Sequence, residues 1–97
     1  MTEKTVKKEL RKMFKASREA ISGIAFVIGI KGKKIKYLGY FHDAPPRNYD
    51  RILLYYSWSI HDYKYRDENQ TISEFINDLV DDEFEKLLEE NVIKLRR

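Results

Sequence analysis

Apolar residues recur near the start of the chain at Val6, Leu10, Met13, Phe14 and Ile21, with the small Ser17 in the intervening turn. At about 100° per residue these positions share one stripe, so the spacing predicts a helix over residues 2–21 packed on an apolar surface, with Ser22-Gly23 as its stop. The period then changes. Residues 24–30 and 34–41 are rich in β-branched and aromatic side chains and read as two strands. The Lys31-Gly32-Lys33 link between them is short, and its glycine suits a tight antiparallel hairpin. The first of these strands is apolar on both sides, which predicts a central position. In the second, Lys34 and Lys36 alternate with Ile35 and Tyr37, so one side near the hairpin should face water.

Residues 42–50 form a loop stiffened by Pro45 and Pro46. Beyond it, Ile52, Leu54, Tyr56, Trp58 and Ile60 alternate with Leu53, Tyr55, Ser57, Ser59 and His61, a period of two that predicts a third strand. The competing reading is a helix starting at Asp50, with Asp50 as cap and Tyr49 stapled to Leu54. Thr71-Ile72-Ser73-Glu74 has the form of a capping box, and Ile72, Phe75, Ile76, Leu79, Val80, Phe84, Leu87 and Leu88 then sustain an apolar helical face to about Glu90. Asp81-Asp82 is a possible interruption, and residues 92–95 would either extend the helix or add a short edge strand.

The expected architecture is α+β: a single compact domain over residues 1–97, ordered α-β-β-β-α, with an antiparallel three-stranded sheet and two helices packed on one face. No internal repeat or linker is evident. The element order resembles that of the double-stranded RNA-binding domain. That family expects basic residues at the start of its second helix, where this chain has Thr71-Ile72-Ser73-Glu74, so no family site is transferred.

Charge adds a second pattern. Residues 1–66 carry 15 Lys or Arg against 6 Asp or Glu, a net +9, whereas residues 67–97 carry 4 against 10, a net −6. The whole-chain value of +3 therefore hides two surfaces of opposite sign. Lys8, Arg11, Lys12, Lys15 and Arg18 project from the polar side of the first helix, and Lys31, Lys33, Lys34 and Lys36 surround the hairpin. Cations so arranged can meet successive phosphates, which makes a noncatalytic nucleic-acid-binding protein, for DNA or RNA, the leading expectation. The alternative is a homodimeric adaptor or inhibitor that presents sheet aromatics and the acidic C-terminal helix to a protein partner, with Tyr63, Tyr65, Asp78, Asp82 and Glu85 as contacts. Tyr56 and Trp58 are expected in the core or an interface.

The chain has no cysteine, which excludes disulfides, thiolate zinc sites and cysteine nucleophiles and is compatible with a reducing compartment. Residues 24–30 are too few to span a bilayer core of roughly 30 Å as a helix, and a soluble cytoplasmic protein is expected. No glycine-rich phosphate loop or nucleophile motif is present, and no cofactor or metal is expected. The pairs His42-Asp43 and His61-Asp62 are two small dyads of the kind used in acid–base or metal chemistry, and Asp67-Glu68 and Asp81-Asp82-Glu83 likewise provide carboxylates without a convincing set of metal ligands. Because each dyad follows a strand, antiparallel pairing is expected to separate the two towards opposite ends of the sheet.

Overall fold

A computed structural model describes residues 1–20, 23–41 and 47–95. Helix α1 spans Glu3–Ser17, strands β1, β2 and β3 span Ala25–Lys31, Lys34–Phe41 and Arg51–Tyr56, and helix α2 spans Ile72–Glu89. The sheet is antiparallel in the order β2-β1-β3, so the strand that is apolar on both sides is indeed central. Phe26, Ile28 and Ile30 of β1 turn to the helices, and they join Val6, Leu10, Met13 and Phe14 of α1 and Ile76, Val80, Phe84 and Leu87 of α2 in one buried cluster. Both helices lie on this face, which gives the α+β layering expected. Helix α1 rests on β1 and β2, whereas α2 packs on α1 and reaches β3 through Tyr55, whose hydroxyl donates to Glu83 Oε1 at 2.5 Å.

Local chemistry explains the boundaries. Thr2 caps α1 by accepting from Thr5 N at 3.2 Å. The helix ends at Ser17, earlier than its apolar stripe suggests, where the Ser17 hydroxyl bonds back to Phe14 O at 2.8 Å. Ile21 and Ser22 lie outside the described residues. The hairpin closes through Gly32 and Lys33, with Gly32 at φ 57°. A bulge follows: Val27 pairs with Gly39 but Ile28 pairs with Tyr37, leaving Leu38 as the extra residue.

The third strand is shorter than its alternation predicts, ending at Tyr56 rather than Ile60, and the next residues form 3-10 turns at Ser57–Ser59 and His61–Tyr65. Serine and histidine side chains supply the reason. Ser59 Oγ donates to Tyr56 O at 2.7 Å, His61 Nδ1 bonds to Trp58 O, and buried Ser57 accepts from Gly23 N at 2.8 Å. These local bonds compete with a ladder. Nor does a helix start at Asp50, which instead donates its own N–H to Ile30 O at 2.9 Å.

At Thr71 the capping box forms as expected, with Glu74 N donating to Thr71 Oγ1 at 3.1 Å and Thr71 N donating to Glu74 Oε1 at 3.2 Å. Asp81-Asp82 does not interrupt α2. Asn91 at φ 56° stops it in a Schellman arrangement, with Val92 N donating to Leu87 O at 2.9 Å and Asn91 N to Leu88 O at 3.1 Å. Residues 92–95 are consequently neither helix nor strand, and Ile93 turns into the core.

Candidate nucleic-acid interface

Lys31, Lys33, Lys34 and Lys36 stand exposed around the hairpin and line a cleft of about 650 Å³. Its other wall is the beginning of α1, with Met1, Thr2, Thr5 and Glu9. The hairpin and the start of α1 thus border one cleft, to whose lining α1 contributes no cation. Glu9 is nearly buried, and Lys12 neutralises it, with Nζ 3.4 and 3.1 Å from its two carboxylate oxygens. Glu9 Oε2 has this ion pair but no hydrogen bond of good geometry.

Tyr49 is the residue that sequence reasoning missed, a ring that borders the same cleft from the face of the sheet turned away from α1. Asp50 anchors the chain here, since its N–H donates to Ile30 O and its Oδ2 accepts from Gly32 N at 2.6 Å. The preceding tyrosine then lies over β1 at Gly29. A Cβ at Gly29 would stand 2.6 Å from Tyr49 Cδ1 and 2.8 Å from Leu38 Cδ1, so only glycine admits the ring so close to the strand. The sequence signal is faint: a glycine inside an apolar strand, and an aromatic at the end of a loop with no periodicity of its own.

The outer side of α1 divides into three parts. Lys8, Lys15 and Arg18 are exposed, while Lys12 is held by Glu9. Arg11 turns towards α2, where Nε donates to Asn77 Oδ1 at 3.1 Å. On the same flank Lys7 pairs with both Glu3 and Asp81 at 3.0 Å and stands 5.0 Å from the centre of the Phe84 ring. Hydrogen bonds donated by the Lys7 ammonium to those two carboxylates raise its pKa above the ordinary lysine value. The acidic helix therefore covers one flank of the basic helix and leaves its outermost residues open. Arg18 does not reach the hairpin cleft, and instead lines a separate hollow of about 380 Å³ with Trp58, His61, Tyr63 and Lys64.

Of the expected protein-contact residues, Asp78, Asp82 and Glu85 share one exposed stripe of α2, whereas the two tyrosines differ. Tyr63 packs inward: its hydroxyl donates to Phe14 O, and its ring meets Phe75 edge-on at 5.7 Å. Tyr65 is 74% exposed beside His61. Asp78 accepts from Gln70 Nε2 at 2.5 Å, Glu85 is exposed, and Asp82 borders a groove beside β3. Trp58, expected in the core or an interface, is 66% exposed and stacks on Tyr56.

The strand order corrects the expectation that the strands preceding the two histidine pairs end far apart. Phe41 and Tyr56 both pair with Ala25, so β2 and β3 finish at the same end of the sheet rather than at opposite ends. His42-Asp43 itself lies outside the described residues. His61 Nε2 is 4.0 Å from Asp62 Oδ1, and among the described residues no three His, Asp or Glu side chains cluster as metal ligands would. Among the described residues no helix is long and apolar enough to cross a membrane. Compared with family models, curated proteins and solved structures, the chain matches none.

Proposed function

We propose that this chain is a noncatalytic nucleic-acid-binding protein whose site is the cleft between the hairpin and the start of α1. The observation that carries the reading is the cleft itself, whose lining includes four hairpin lysines and the Tyr49 ring. A phosphate backbone tracking the lysines releases counterions, and an unpaired base can lie on Tyr49; these are the two sequence-tolerant components of single-strand binding. Lys8 and Lys15 extend the cationic surface along α1, and the α1 N-terminus adds the positive end of its dipole.

The two components are separable by experiment. Anisotropy titrations with labelled oligo-dT and oligo-U of about 12 nucleotides, a length within the usual range of site sizes, are run from low to moderate salt. Log affinity should fall linearly with log salt. Lys33→Gln with Lys36→Gln should reduce the slope by about 0.7 for each phosphate that is no longer neutralised. Tyr49→Ala should weaken binding by about 1–3 kcal/mol with the slope unchanged. A titration flat at the lowest salt, or lysine variants indistinguishable from the parent, would remove this assignment.

A further inference from the structure

The two edges of the sheet are built differently. Strand β2 carries Lys34 and Lys36 and is broken by the Leu38 bulge, both of which discourage another strand from pairing with it. Strand β3 has none of these devices between Ile52 and Tyr56, which read Ile-Leu-Leu-Tyr-Tyr without a charge, a proline or a bulge. Its outward backbone groups follow from the ladder. Ser57 N donates to Ile24 O at 2.8 Å, and bonded pairs alternate, so Leu53 and Tyr55 turn their N–H and C=O to β1 while Ile52 and Leu54 turn theirs outward. Tyr56 O also points outward, where the Ser59 hydroxyl satisfies it.

This edge lines a groove of about 630 Å³ whose opposite wall is α2. The lining carries four carboxylates, Asp62, Asp82, Glu83 and Glu90, against two cations, Arg51 and Lys86. On the other face of the sheet, Leu54 and Tyr56 are 43% and 44% exposed. We infer that the β3 edge docks an extended segment of another protein by strand addition, with basic side chains turned to α2 and apolar ones turned to Leu54 and Tyr56. Alternation follows from the strand itself, because successive side chains point to opposite faces. A second copy fits the groove less well, since two-fold pairing of β3 with itself would carry a second α2, with the same carboxylates, towards the first.

The probe is a capped hexapeptide alternating lysine and valine, compared with its glutamate-valine counterpart, using the full chain labelled for amide NMR. The lysine peptide should slow exchange of the Ile52 and Leu54 amides at least tenfold, and the glutamate peptide should leave them unchanged. Asp82→Lys with Glu90→Lys, at two exposed positions, should weaken lysine-peptide binding at least tenfold while the thermal melt stays that of the parent. Lys33→Gln with Lys36→Gln should leave peptide binding intact, which separates this edge from the hairpin cleft. Equal binding of both peptides, or binding without protection of Ile52 and Leu54, would overturn the inference. Protection that grows with protein concentration alone, alongside a dimer in sedimentation, would overturn it in favour of self-pairing.

Discussion

Gly29 shows how one missing side chain shapes a surface. The Tyr49 ring occupies the space where a Cβ would be, so Gly29→Ala must displace the ring or bend the strand. Overpacking of this kind costs about 1–3 kcal/mol, to be read from urea melts, and nucleic-acid affinity should fall together with stability. Tyr49→Phe tests the same position from the other side: it keeps the ring and should keep the binding. The tyrosine was not legible in the sequence because it follows a proline-containing loop, where neither period applies. What places it is a pair of bonds from its neighbour Asp50 to Ile30 and Gly32, residues some twenty positions earlier. The lysines were legible, since a charged residue on an exposed strand or helix face needs only the local period to be placed.

At the level of elements, the most accurately anticipated unit is α2, because its signals are local and agree with one another. Thr71 and Glu74 form the start, and the apolar face fixes which side is buried. Its end was less legible, since asparagine in the left-handed conformation is one of several ways to stop a helix. Asn91→Ala should destabilise the protein by roughly 1–2 kcal/mol in chemical denaturation, while Asn91→Gly should be neutral or better, because glycine carries no Cβ into that conformation. Strand β3 is the opposite case. Its alternation continues into Trp58 and Ile60, but hydroxyl and imidazole groups capture the carbonyls of Tyr56 and Trp58 and turn the chain. Hydrophobic period does not register such bonds.

Across the whole molecule, burial leaves a mark on three phenols from three different elements. Tyr55 is pushed well above the tyrosine range by burial, and then by the Glu83 carboxylate; Tyr37 and Tyr63 are raised chiefly by burial. A group with a raised folded pKa keeps its proton while the unfolded chain releases it, so the contribution is fully present below about pH 10 and is lost as pH rises further. Stability should therefore decline above about pH 10, with Tyr55 alone adding a slope of up to about 1.4 kcal/mol per pH unit. Tyr55→Phe should remove that part of the alkaline limb, and at neutral pH it should cost about 1.5–3 kcal/mol because Glu83 loses its donor. Both effects are read from denaturation midpoints measured across the pH range.

The inequality of the two sheet edges also sets a limit on growth. A ribbon that can be joined from either side can polymerise, whereas one that discourages pairing along β2 and is open along β3 accepts a neighbour at β3 and then stops. Such a protein ends a row of strands instead of propagating it, and its complexes at that edge are finite, with one guest per chain.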